Sequence, residues 1–485
     1  MYFLQHPKTC CRSVFQSHME DAFIVILDSE ILPEVFIMKK VLILGAGLSS
    51  TALISYMLEN AEKYNWIIRI GDISLDLVKK KINNHPRGEA IFFNVDNPDQ
   101  LSVEVRRADI VISMLPHKFH LGIARECIRF GINMVTASYV SPEIQMLDEE
   151  AKERGILIMN EIGVDPGIDH MSAMQIINRL KDEGCKLISF DSATGGLVAP
   201  NFDDNPWRYK FTWAPRNVVL AGQGGARFLH NGKFKYIPYQ RLFERYEMID
   251  IPELGQFEVY PNRDSLKYRE EYGLSDLLTM FRGTIRRPGF CEAWNALVQL
   301  GATDDTYKMD DTGNMTYRDF TNSFLAYNII DPVEKKLCKY LKISEDSELM
   351  NKLKWLGLFD DKKIGIPELT PANVLQHILE EKWAMNEEDK DMIVMQHQFD
   401  YIRLGSHRKL YSNLIIFGEN SHNTAMSKTV GLPVAITSKL ILQDRTNLKG
   451  VHIPVEKQIY EPVMDELKEF GIEFKERDVE ISSSR

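Results

Sequence analysis

The stretch NEIGVDPGIDHM sets Glu161, Asp165, Asp169 and His170 around two glycines and a proline. Carboxylates and an imidazole this close together serve as metal ligands, as acid/base groups or as a helix cap. Asp-Pro-Gly followed by a helical stretch to Leu180 places Asp165 at an N-cap and Pro166 at the first helical position. Asp169 then falls in the first turn, where a negative charge favours the helix dipole whatever the chemistry. His170, one residue on, points about 100° away around the helix. The two do not converge on a metal, and none is expected. Asp165 remains as the reactive candidate, presented by a strand-to-helix turn.

A second chemical signature lies in KKVLILGAGLSSTALISYML. Gly45, Gly47 and Ser50 hold the small positions of G-x-G-x-x-G, between the aliphatic run Val41–Leu44 and a helical stretch from Thr51. The first glycine permits a tight turn, and the second lets the backbone approach a pyrophosphate on the helix N-terminus. The third position wants a small residue for close packing, and serine is a weakening. Asp72, about 20 residues on, closes the next strand, where a carboxylate bonds the adenosine ribose hydroxyls. A carboxylate there repels a 2′-phosphate, which favours NAD and leaves NADP open. The run Lys79-Lys80-Lys81 reads as a solvated helix face rather than a phosphate site.

Such residues need a rigid frame. Strand-like runs recur at Val41–Leu44, Trp66–Asp72, Ala90–Asp96, Ala108–Pro116, Asn133–Val140 and Ile156–Gly163, most of them separated by helical segments. That alternation predicts an α/β fold with a Rossmann-type doubly wound parallel sheet. From Lys186 to Arg287 mixed strands and Gly-, Pro- and Asn-rich turns predict a second α/β domain with a mixed or antiparallel sheet. From Cys291 to about His397 the reading is mainly helical, including EEDKDMIVMQHQF. The expected division is a poorly packed extension over 1–37, a dinucleotide-binding domain over 38–163, a substrate and dimerisation domain over 164–290, a small helical domain over 291–410 and a segment over 411–485 that returns to the first two. Met38-Lys39-Lys40 reads as a natural start.

Bulk properties narrow the partners. The chain has 485 residues, 44% hydrophobic and 26% charged, with a net charge of −11 and no Lys/Arg block longer than three. A protein that binds nucleic-acid phosphates needs a concentrated basic surface, so that partner is set aside. No apolar run reaches the roughly 18–20 residues needed to span a membrane. The six cysteines lack the regular pairing of a disulfide scaffold, which suits buried thiols in a reducing cytoplasm.

From the fourth strand onward the chain resembles saccharopine dehydrogenases of the glutamate-forming type. The segments that carry the resemblance are VISMLPHKFH, VTASYVSPEIQMLDEEAKERGI, MNEIGVDPGIDHM, GGLVAPNFDDNPWRYKFTW, YPNRDSLKY, FRGTIRRPGF, LKWLGLFDDKKI, EEDKDMIVMQHQF and AMSKTVGLP. It implies hydride transfer between a nicotinamide cofactor and a carbon–nitrogen bond, interconverting saccharopine with glutamate and 2-aminoadipate 6-semialdehyde, an amino-acid substrate. Polyamine-forming carboxynorspermidine dehydrogenases share part of this plan and are the alternative, as is a non-catalytic nucleotide-binding relative. The resemblance implies a homodimer.

It also assigns residues. Gly45, Gly47, Leu48 and Ser49 fall at the pyrophosphate, Asn94 and Val95 beside the adenine, and Met114, Leu115, Thr136, Ala137 and Ser138 along the nicotinamide half, with Gly163, Val164 and Trp213 near it. Ser138, Tyr139, Asp165, Arg263, Thr284, Ile285 and Arg286 fall to the substrate, and Lys210 is a weaker candidate. Arginine suits a substrate with three carboxylates, because its planar fork grips a carboxylate with two hydrogen bonds. A bound ammonium would hold Asp165 ionised, so Asp165 is expected to orient the amine while His117 or water carries the proton. His117 stands where the family usually has tyrosine, and it either titrates near neutrality or fills the same volume. Ala193-Thr194 stands where the family usually has Tyr-Cys, so no cysteine acts there.

Overall fold

In strand β1 (Lys39–Leu44) Val41 and Ile43 enter one core while Leu42 and Leu44 enter another. A strand apolar on both faces belongs inside a parallel sheet covered by helices on each side. The computed structural model describes residues 38–481, and the extension expected over 1–37 lies outside them. β1 pairs in parallel with β2 (Trp66–Asp72) and β4 (Ile110–Ser113). With β3 (Gly88–Phe92), β5 (Asn133–Thr136), β6 (Leu157–Met159) and β15 (Gly450–His452) they form a seven-stranded sheet in the order β15-β6-β5-β4-β1-β2-β3. The six expected strands are all present. The seventh comes from the chain's end, where three residues are too few to leave a periodic signal.

The second sheet is mixed, in the order β10-β11-β12-β7-β13-β14-β16. Its members are β7 (Lys186–Val198), β10 (Glu247–Ile251), β11 (Gly255–Pro261), β12 (Thr279–Arg286), β13 (Asp391–Arg403), β14 (Ser406–Phe417) and β16 (Lys475–Glu480), with the hairpin of β8 (Ala226–His230) and β9 (Lys233–Ile237) on the β12 side. β7 and β12 run parallel, and β13 runs antiparallel to β7. The helical reading of EEDKDMIVMQHQF is therefore corrected, because Asp391–Arg403 is a central strand. Met392 and Val394 face one core, and Ile393, Met395 and Phe399 face the other. Burial on both faces erases the alternation that marks a strand.

The helix Ala425–Leu442 ties the two sheets together. Its Ser427 Oγ accepts from Ala52 N (2.9 Å) in the first helix, Thr51–Ala61, while Ala425 N and Met426 N donate to Asp391 at the start of β13. From the C-terminal segment, β15 pairs with β6 of the first sheet, and β14 and β16 belong to the second.

Candidate functional site

At the carboxyl end of β1, Gly45 adopts φ +100°, and a Cβ there would stand 3.0 Å from the Met114 carbonyl and 3.3 Å from Leu115. The glycine lets the first turn close against the exit of β4. Gly47 faces open space, Leu48 is exposed, and the first helix leaves its leading N–H groups without partners inside it. Asn94 and Val95 follow β3, and Thr136, Ala137 and Ser138 close β5. Glu161 N donates to Ser138 O (3.0 Å) and Ile162 N to Thr136 O (3.4 Å), which brings the exits of β5 and β6 together. Gly163 packs on Ala137, Val164 is buried, and Trp213 lies half-buried against both main cores. Apart from Trp213, which follows β7 of the other sheet, the cofactor residues expected from the sequence thus line the carboxyl edge of one sheet, where open α/β sheets bind ligands.

Asp72 is differently employed. Its Oδ2 accepts from Ala46 N (2.8 Å) and its Oδ1 from Ser74 N (2.9 Å), so both oxygens brace the glycine turn and the following helix, Leu75–Ile82. Lys79 and Lys80 are exposed, but Lys81 turns inward, which corrects the reading of the whole run as a solvated face.

The opening motif changes most. The expected cap at Asp165 gives way to a helix, Ile168–Asp182, that begins after a cis Asp165-Pro166 bond. Gly167 N donates to Asp169 Oδ1 (2.6 Å), so Asp169 supplies the capping oxygen from inside the helix. Only glycine fits at 167, with φ +145° and a Cβ position 2.1 Å from Gly163 O. Asp165 is drawn elsewhere: Arg282 Nη2 donates to Asp165 Oδ1 (2.5 Å) and to Asp169 Oδ2 (2.6 Å). One guanidinium thus serves two carboxylates, Asp169 buried and Asp165 14% exposed. Burial pushes the Asp165 carboxyl up, only partly offset by Arg282. Burial acts on Asp169 too, but His170, Arg282 and the Gly167 N–H outweigh it and hold that carboxyl down.

Glu161 and His170 complete the network instead of dropping out of it. Glu161, fully buried at φ 56°, accepts from Val140 N (3.0 Å), Lys267 Nζ (2.9 Å) and Tyr268 Oη (2.8 Å) and pairs with His170 Nε2 (3.0 Å). His170 Nδ1 meets the Tyr272 hydroxyl. Burial would raise the Glu161 carboxyl, but His170 and Lys267 hold it at about 2. A non-glycine residue held at positive φ by so many partners marks a local structure determined by its surroundings.

Of the substrate candidates, Tyr139 reaches Asp165. Tyr139 Oη lies 3.5 Å from Asp165 Oδ1, and the exposed Arg263 sets its guanidinium 4.9 Å from the Tyr139 ring. Thr284 and Arg286 share one face of β12 with Arg282, since side chains alternate along a strand. Ile285 points the other way into the core, fully buried. Arg286 is 3% exposed and stacks against Tyr209, Tyr260 and Phe290, yet among the described residues no carboxylate pairs with it, and its Nε has no partner. Thr194 lies beside Asp165 and favours its ionised form. Lys210 is committed to Asp204 (2.9 Å) and Asp389 (2.8 Å).

His117 sits exposed on a short 3-10 turn, and the buried imidazole is His120. His120 Nε2 meets Ser138 Oγ at 2.7 Å, and Nδ1 meets Ser113 Oγ at 3.0 Å. Burial pulls it down to about 4, which keeps the ring neutral and its hydroxyl partners fixed.

Residues 41–159 match the model of the saccharopine dehydrogenase NADP binding domain, and residues 163–472 match that of the saccharopine dehydrogenase C-terminal domain. The chain belongs to the saccharopine dehydrogenase family. It is 33% identical over 451 residues to the saccharopine dehydrogenase (NADP+, L-glutamate-forming) of Saccharomyces cerevisiae, covering 91% of this chain and 99% of that protein. It is 34% identical over 443 residues to the mitochondrial alpha-aminoadipic semialdehyde synthase of Rattus norvegicus, covering 90% of this chain and 47% of that protein. The chain therefore spans about half the length of its mammalian relatives and nearly all of its fungal ones. A solved structure of apo saccharopine dehydrogenase (L-Glu forming) from Saccharomyces cerevisiae superposes with a TM-score of 0.80 at 31% identity, covering 91% of this chain and all of that one.

Membership in this oxidoreductase family bears out the resemblance and the fold class. A nicotinamide dinucleotide domain is present, and its family model is an NADP binding domain, so the preference for NAD read from Asp72 gains no support. Among the described residues no helix is long and apolar enough to cross a membrane.

The sequence reading missed Arg282 and His120. Arg282 lies two residues before Thr284, on the same strand face, so period-two counting through FRGTIRR would have found it. His120 falls three residues after His117, one turn deeper in the helix that opens there.

Proposed function

We propose that the protein interconverts saccharopine with L-glutamate and 2-aminoadipate 6-semialdehyde, using NADP(H). The observation that carries this reading is Arg286, a buried guanidinium with aromatic walls and no carboxylate partner among the described residues. A buried charge without a counter-ion is costly, and a carboxylate-rich substrate supplies one. A diamine substrate offers no such group, so the polyamine alternative fits less well. Arg263, on the exposed side of Tyr139, is placed to take a second carboxylate.

A bound nicotinamide would supply the hydride exchange at the substrate carbon–nitrogen bond. Gly45, Gly47, Leu48 and Ser49 would hold its pyrophosphate, and Met114, Leu115, Thr136 and Ala137 its nicotinamide half. Asp165 is the proton carrier in this reading. Two carboxylates share the Arg282 cation, Asp169 keeps its charge, and burial favours a proton on Asp165. That proton goes to the hydroxyl leaving the carbinolamine, so that water departs and the imine forms. In the reverse direction Asp165 accepts a proton from the water that attacks the imine. Tyr139 and Ser138, the latter held by His120, would orient the amino-acid groups beside it. This assigns the proton to Asp165 rather than to His117, which is exposed.

Incubating the purified protein with saccharopine and NADP+, and following reduced nicotinamide by absorbance, tests the reading. Saccharopine-dependent reduction with glutamate as product is expected. No reduction with saccharopine under either NADP+ or NAD+, or turnover of a polyamine adduct in its place, would sink it.

A further inference from the structure

Lys81 is the one member of its three-lysine run that turns back toward the dinucleotide site. From the helix Leu75–Ile82 its Nζ donates to the Gly47 carbonyl, to Ser50 Oγ (3.1 Å) and to Thr51 Oγ1 (3.0 Å), all in the turn and first residues of the helix that follow β1. Every one of these acceptors is neutral. Among the described residues no carboxylate lies within ion-pair distance of the ammonium. The carboxylate that does act on it is Asp72, and both Asp72 oxygens are already bonded to backbone N–H groups. A half-buried ammonium held by neutral oxygens beside a phosphate-binding turn has charge to give to an anion.

We propose that Lys81 is the residue that selects NADP over NAD, by pairing with the 2′-phosphate on the adenosine ribose. This rests on the dinucleotide reading of the Gly45–Ser50 turn. The ribose edge lies where β2 ends at Asp72, whose two oxygens are held by Ala46 N and Ser74 N, and the Lys81 ammonium is the cation beside it that can offset the Asp72 charge toward a phosphate. Lysine reaches such a phosphate as a mobile point charge on a flexible stem. In the cofactor-free protein the same ammonium rests on Gly47, Ser50 and Thr51 and holds the turn in shape. Burial pulls Lys81 down to about 8, so its charge is already partly disfavoured where it rests and gains from a partner of opposite sign.

The test is a pair of dissociation constants that need no turnover. NADPH and NADH binding to the intact protein, and binding of adenosine 2′,5′-bisphosphate against adenosine 5′-phosphate, are measured by calorimetry for wild type, Lys81→Met and Lys81→Arg. A charged hydrogen bond is worth about 1.5–3 kcal/mol, so Lys81→Met should weaken NADPH and the bisphosphate by roughly 10- to 100-fold. NADH and the monophosphate should move by less than about threefold, and Lys81→Arg should keep most of the NADPH affinity. Equal weakening of both cofactors would make Lys81 a structural staple and overturn the proposal, as would no change in either. Failure of the saccharopine reading would show instead as absent turnover in a wild type that still discriminates the two cofactors.

Discussion

Arg282 and Arg286 stand four residues apart on one face of β12, both buried, and their electrostatic company is opposite. Arg282 lies between Asp165 and Asp169 and over the Tyr268 ring at 4.6 Å. Arg286 has three aromatic rings and the Ile285 carbonyl and, among the described residues, no ion-pair partner. Glu258 stands directly across the β11–β12 ladder, but both its oxygens are spent on Gly289 N (2.6 Å) and Cys291 N (2.8 Å) at the start of the helix Phe290–Leu300. Residue type, burial and strand face are the same for the two arginines. Partners alone separate a guanidinium that organises the protein from one that the proposed function gives to a substrate carboxylate.

The sharpest way to break this comparison is to remove each cation in turn. Arg282→Met strips two carboxylates of their shared partner and should cost about 3–5 kcal/mol of stability, measured by urea unfolding. The double variant Arg282→Met, Asp165→Asn should recover part of that loss, because one of the two carboxyl groups left without the cation is gone. An Arg282→Met protein as stable as wild type would erase the distinction. Asp165→Asn alone keeps the shape and removes the titratable group. It should lower kcat by about 10²- to 10⁴-fold if Asp165 carries the proton. Unchanged kcat with a raised KM would return Asp165 to the role of orienting the amine.

The sequence made the dinucleotide half legible because its signals are local. A glycine turn, an aliphatic strand and a closing acid fall within one βαβ unit, and all six strands read there are present. The motif around Asp165 was read less well, since each residue was judged by its neighbours in sequence. Glu161 and His170 lost their candidacy because helix geometry points His170 away from Asp169. The two in fact pair with each other, and their remaining partners, Lys267, Tyr268 and Tyr272, come about a hundred residues further on, where no spacing rule reaches. The strand Asp391–Arg403 was misread for a related reason, because two buried faces leave no alternation. The resemblance supplied Arg263, Thr284 and Arg286, and local pattern alone would have left the two arginines as surface ion pairs.

Arg286→Met tests the other arm of the comparison. Replacing an unpartnered buried cation by an apolar side chain of similar length should leave stability unchanged or raise it. Loss of the contact to a substrate carboxylate should lower kcat/KM for saccharopine by roughly 10- to 100-fold, mostly through KM. Stability and activity should therefore move apart here, whereas at Arg282 they fall together. An Arg286→Met protein that loses several kcal/mol of stability would show that the guanidinium already has its partners.

The smallest effect concerns pH, and it sets the neutral histidines against the raised carboxyl. Burial pulls both His120 and His397 down to about 4 in the folded chain. An unfolded histidine takes up its proton near 6.5, so between about 6.5 and 4 the unfolded chain binds more protons and stability falls as the pH is lowered. Each group contributes at most on the order of 3 kcal/mol across that window. Asp165 acts with the opposite sign: its raised value means that the folded chain takes up a proton first, which adds stability as the pH falls. His397→Gln should therefore flatten the acid loss of stability, and Asp165→Asn should steepen it, in thermal unfolding scans between pH 7 and pH 4. If Asp165→Asn flattens the curve instead, the Asp165 carboxyl is held down rather than raised, and Arg282 wins over burial at that site.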